Sequence, residues 1–162
     1  MFKNPIVKNI LSAVAVAVFG FILLNLTFLF DFLIQSLVVR LIELFTSVDF
    51  ETIDFQTSFQ WLPPAMHGLF VVIIGVISWL VFRSRRGTLY KAIYMTVPLA
   101  LVFVTLGIFL YRWPIVAYSI GGMLGIGILS FFYRTKQPWL YYYTFILISL
   151  AMLLVGLLGV EI

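Results

Sequence analysis

Reactive chemistry needs donors, acceptors and nucleophiles, and this sequence carries few. It has one histidine, His67, six acidic residues and no cysteine. His67 with Asp31, and with Glu43 or Asp54 beside them, offers the ligand types of a zinc site and the proton carriers of an acid–base pair. The spacing lends this little support. There is no H-E-x-x-H, no second histidine, and no nucleophile set beside a base at a motif spacing. Catalytic zinc sites use three protein ligands and an open position. The plainer reading makes His67 an interfacial histidine bonded to a carboxylate or a lipid headgroup, and Asp31 a helix cap. His67 and Asp31 are therefore the candidate catalytic residues, and neither a metal nor a cofactor is expected. The lack of cysteine excludes disulfide and thiolate chemistry, and no glycine-rich phosphate loop is present.

A second constellation is basic and aromatic. Arg83, Arg85, Arg86, Arg134, Lys136 and Trp139 fall at the ends of apolar runs. There, cationic side chains meet lipid phosphates and tryptophan settles at headgroup depth. These six are candidate headgroup-binding residues, although anchoring and orientation alone also account for them. A third set, Ala117, Gly121 and Gly125, repeats every four residues. Small residues at that spacing suit close helix packing or contact with a partner helix. Pro98 lies inside an apolar run and frees the carbonyl of Tyr94, so a kink is expected there. No acid or base lies near the middle of any run, whereas ion-coupled transporters place such groups at depth. The deep hydroxyls, among them Ser78, Thr96, Thr105, Thr144 and Ser149, are expected to bond their own helices.

The elements that must position these residues follow from composition. Hydrophobic residues make up 64% of the 162 and charged residues 10%, against roughly 45–50% and 25% in soluble domains. A water-soluble fold of this size has no interior for so much apolar surface, so the expected class is an all-α polytopic membrane protein in one domain, 1–162. Five spans are expected at about 10–30, 65–82, 92–111, 115–133 and 139–160. The amino-terminal charges Lys3 and Lys8 resemble a signal-peptide start. The apolar run behind them reaches Phe30, which makes it an uncleaved first span.

The stretch 31–64 is different. It holds Asp31, Glu43, Asp49, Glu51 and Asp54, five of the six acids. A straight helix over 10–45 would be about 54 Å long, well beyond a hydrocarbon core of about 30 Å, so a break is expected near Asp31. On a helical wheel Leu33, Ile34, Leu37, Val38, Leu41, Leu44 and Phe45 share one face, opposite Ser36, Arg40 and Glu43. This predicts an outward amphipathic interfacial helix over 31–45, with an extension of the first span as the alternative. An irregular acidic loop, marked by Trp61, is expected to lead into the second span.

Charge suggests an orientation. With Lys3 and Lys8 cytoplasmic, five spans place Arg83, Arg85, Arg86, Lys91, Arg134 and Lys136 on the same side. Eight of the ten basic residues are then inside. The expected location is the plasma (inner) membrane, with the amino terminus cytoplasmic and the carboxyl terminus external. The leading functional expectation is a small, non-enzymatic membrane component that engages membrane lipids, a larger membrane protein or a second copy of itself, and no nucleic acid. The alternatives are a small oligomeric transporter or channel, with Pro98 and the glycines of span four along its path, and a membrane enzyme with an outer-face site at His67 and Asp31.

Overall fold

The computed structural model describes residues 5–46 and 62–157, and every element among them is an α-helix. Helix α1 is Pro5–Thr46, α2 Leu62–Arg83, α3 Thr88–Leu110, α4 Pro114–Arg134 and α5 Trp139–Leu157. All five are long and apolar enough to cross a membrane, so the chain is an integral membrane protein with a helical fold.

Helix α3 is the axis. It packs against each of the other four helices, and Ala92, Met95, Thr96, Val97, Ala100 and Leu101 are buried on it. Three core clusters use its different faces. Val16 of α1 and Leu140 of α5 meet Ala92 near one end. Phe70 and Ile74 of α2 meet Val97 and Leu101, with Leu23 of α1 against them. Phe132 of α4 and Phe145 and Ile148 of α5 meet Met95, Leu99 and Ala100.

A close contact joins α1 to α3. A Cβ built on Gly20 would stand 2.6 Å from Thr96 Cγ2, so glycine is what allows the Thr96 side chain to sit against the α1 backbone. Thr96 Oγ1 donates to the Ile93 carbonyl at 2.8 Å, with the Gly20 carbonyl 3.4 Å away. Thr144 of α5 repeats the device, donating to Leu140 O at 2.8 Å with Ala92 O of α3 at 3.3 Å. Ser78 Oγ and Tyr94 Oη join α2 to α3 at 3.2 Å. Thr105 Oγ1 of α3 likewise lies 3.0 Å from His67 Nε2 of α2, so at Thr96, Thr105 and Thr144 the hydroxyls bond their own helices as expected and reach a neighbour as well, while Ser78 bonds Tyr94 across helices. Conversely Asn25, an amide able to reach a neighbour, donates to Phe21 O of its own helix at 2.8 Å. Ser149 Oγ is buried with no partner among the described residues.

Helix α1 departs most from expectation. It runs 42 residues without interruption, about 63 Å at 1.5 Å per residue. The break near Asp31 is absent, and no separate interfacial helix is found among the described residues, since 31–46 continue α1. The local chemistry explains this. No proline or glycine lies between Phe21 and Thr46, the stretch is rich in leucine, and Asp31 sits inside the helix. Its Oδ2 accepts from Gln35 Nε2 at 3.1 Å, one turn on. Ile34 still packs against the α2–α3 cluster, but Leu37 and Leu44 are 60% and 79% exposed. The irregular acidic loop expected over 46–64 is shorter at both ends, because Thr46 closes α1 and Leu62, Pro63 and Pro64 open α2; its stretch 47–61, with Asp49, Glu51, Asp54 and Trp61, lies outside the described residues, as does the Glu43 side chain.

The Gly20–Thr96 contact yields a test. Gly20→Ala forces the two helices apart and should lower thermal stability in detergent by about 1–3 kcal/mol. Thr96→Ser removes Cγ2 while keeping the hydroxyl, so the double variant should recover most of that loss in a double-mutant cycle. Additive losses would mean that the contact does not set the α1–α3 spacing.

Candidate functional site

The ends of the helices place the basic residues together. Helix α2 ends at Arg83, where Ser84 N donates to Leu80 O at 3.0 Å and Ser84 Oγ to Val81 O at 2.7 Å. A helix leaves its last carbonyls without intrahelical donors. One of these, Phe82 O, accepts from Lys91 Nζ at 2.7 Å. Lys91 lies in the first turns of α3, so this bond ties the two helix ends together. The Arg83 and Arg86 guanidinium groups lie over the rings of Trp79 and Tyr90, at 5.1 and 5.5 Å, in cation–π contacts. Arg85 is exposed.

The turn from α4 to α5 lies at the same end, because Phe132 and Leu140 pack into the clusters around Met95 and Ala92. Gln137 N donates to Phe132 O at 3.0 Å and Lys136 N to Tyr133 O at 3.2 Å. This is a Schellman cap. Its left-handed position, usually glycine, is held by Lys136 at φ 50°, at a cost of about 1–2 kcal/mol. Trp139 is half exposed and lies 6.3 Å from the Tyr143 ring. Phe132 anchors the turn from below, edge-on to Tyr142 and Phe145 at 5.5 and 6.5 Å.

Between α3 and α4 a groove of about 980 Å³ runs from this end into the membrane-spanning region. Its α3 wall is Lys91, Met95, Pro98, Leu99 and Val102. Its α4 wall includes Ile120, Met123, Leu124, Gly127 and Phe131, while Phe82, Gln137 and Tyr141 close the basic end. The lining is apolar except at that end. Met123 is 75% exposed and Val102 42%, so the groove opens sideways. Pro98 adds one feature at depth. It has no N–H, so the Tyr94 carbonyl one turn earlier lacks its usual backbone donor. The volume falls within the usual range for small-molecule sites, about 300–1,000 Å³.

The expected headgroup residues stand around this groove rather than in it. Among the charged side chains Lys91 lines it, a position that sequence reasoning used only for orientation. The signal was present, since 91, 95, 98 and 102 fall on one helical face. Arg134 lines a neighbouring hollow with Ser130, Phe131 and Tyr133. Of the small-residue set, only Gly125 meets another helix closely. A Cβ there would lie 3.3 Å from Phe145 Cζ, while one on Gly121 would meet nothing within 4 Å. Ala117 is half-buried.

At the opposite end His67 is half-buried and its Nε2 lies 3.0 Å from Thr105 Oγ1. The single hydroxyl proton of Thr105 goes to Leu101 O at 2.7 Å. Thr105 therefore accepts from His67, which assigns the ring proton to Nε2. No hydrogen bond or ion pair joins His67 to Asp31 among the described residues. Asp31 Oδ1 is buried with no partner among the described residues. No group of three or more histidine, cysteine, aspartate or glutamate residues able to hold a metal ion occurs among the described residues. Comparison of the chain with protein-family models, with curated proteins and with solved structures finds no match.

Proposed function

We propose that this protein is a small, non-enzymatic membrane component that holds lipid against its lateral surface. The observation that carries this reading is the sideways-open apolar groove between α3 and α4, with its polar groups gathered at one end. An acyl chain fits such a wall because it needs no hydrogen bonds along its length, and its head needs them only at the end. The transporter reading is less well supported, because a path must cross the whole bilayer. The α3 wall of the groove stops at Val102, eight residues short of the helix end at Leu110. The enzyme reading has less behind it, since no hydrogen bond or ion pair joins His67 to Asp31 among the described residues.

The basic end is proposed to face the cytoplasm of a cell whose plasma (inner) membrane holds the chain. Eight of the ten basic residues lie toward that end in sequence, which is the distribution the orientation rule describes. Because the chain has no cysteine, single cysteines label without background. A cysteine at Arg112 should react with an impermeant maleimide in intact cells, and one at Arg85 only after permeabilisation. The reverse pattern would overturn the orientation.

The lipid reading is tested by purifying the protein in mild detergent from the membrane in which it is made and weighing the intact particle by native mass spectrometry. About one phospholipid per chain should stay bound. Bare chains, or a second protein recovered in place of lipid, would contradict it.

A further inference from the structure

We infer that the groove is selective. It takes an anionic glycerophospholipid from the leaflet at the basic end, with one acyl chain along α3 and the phosphate at Lys91 and Gln137. This rests on the lipid reading and adds a headgroup class to it.

Three independent features of the groove point the same way. The first is length. From Lys91 to Val102 the α3 wall rises about 16 Å at 1.5 Å per residue. Half of a hydrocarbon core about 30 Å thick is about 15 Å. The groove therefore matches the depth of one leaflet, as a membrane lipid requires and a transmembrane partner helix does not.

The second is charge. Among the described residues Lys91 is the only charged one in the lining, and it stands where a phosphate at the head of that chain would lie. One of its three N–H groups is spent on Phe82 O, which fixes the ammonium at the groove mouth and leaves two donors. Among the described residues no carboxylate lines the groove to compete for them. Arg83 and Arg86, held over Trp79 and Tyr90, and Lys136 in the adjoining turn give the same end a net positive potential that favours an anionic over a zwitterionic head.

The third is the turn itself. Lys136 occupies a backbone position that glycine fills without strain. That turn carries the half-buried Gln137 into the groove lining, adding an amide donor to the wall that Lys91 also lines. A cation kept at a strained position next to a cationic mouth is accounted for if the charge is used.

The experiment uses the full chain in nanodiscs of equal parts phosphatidylcholine and phosphatidylglycerol, released and weighed by native mass spectrometry. The bound lipid should be phosphatidylglycerol in about fivefold excess over the bulk ratio, the factor that one near-surface cation supplies. Lys91→Gln keeps a donor for the Phe82 carbonyl and removes the charge, so it should retain a lipid and lose most of the excess. Lys91→Arg should keep the excess. Gly127→Phe fills the groove and should release the lipid altogether. Wild-type protein that retains lipid at the bulk ratio would overturn the selectivity and leave the lipid reading standing. Wild-type protein that retains none would overturn both. An excess unchanged in Lys91→Gln would place the phosphate elsewhere and overturn this assignment.

Discussion

A helix in lipid gains nothing from exchanging acyl chains for leucine side chains, so close packing and hydrogen bonds must hold a membrane bundle together. In this protein that constraint falls on α3. Gly20 lets α1 approach until Thr96 touches its backbone, and Thr144 brings α5 against the Ala92 carbonyl. Ser78 and Tyr94 join α2 to the same helix. Three neighbours thus occupy most of the α3 circumference, and Ala92, Thr96 and Ala100 are buried between them. Helix α4 is the one left over. It is held near its carboxyl end, where Phe132 enters the aromatic cluster, and meets α5 again where Gly125 faces Phe145 and Tyr118 faces Gly156, while the groove wall of α3 stays open beside it. The groove follows from that arrangement.

The residues in the groove fit its place. Pro98 lines the face that α4 fails to cover and withdraws the usual backbone donor of the Tyr94 carbonyl. Gly127 removes side-chain bulk from the opposing wall. Lys91 closes the helix end of α2 with one N–H and faces the groove mouth at the same time. None of these features needs the groove in order to be tolerated, but together they give it an apolar length and a cationic end. At the far end, His67 Nε2, Thr105 Oγ1 and the Leu101 carbonyl form a hydrogen-bonded chain that ties α2 to α3.

The five helices were legible in the sequence because length and continuous hydrophobicity suffice to mark a span. Helices α2 to α5 lie over the ranges read for spans two to five. Beyond Asp31 helix α1 follows the alternative of an extended first span and not the separate interfacial helix. Bilayer thickness favours a break there, whereas helix continuity is decided by local propensity and bonding, and Gln35 makes Asp31 acceptable within a helix. The groove was illegible for a different reason. In a soluble helix an apolar stripe reveals the packed face, but here residues facing lipid and residues facing protein are equally apolar. Met123, three-quarters exposed, and Met95, buried, look alike in the sequence. Lys91 was visible as a charge, and its role at the mouth became visible only once α4 stood opposite.

The account turns on what fills the space between α3 and α4 in a membrane. A photo-crosslinking amino acid placed at Val102 or Met123 on the groove rim, with Ala100 as a buried control, reports this directly in native membranes. The account requires adducts of phospholipid mass at the two rim positions and none at Ala100. Adducts at the rim to a second protein chain, with no lipid, would show that a partner helix fills the groove and would contradict it.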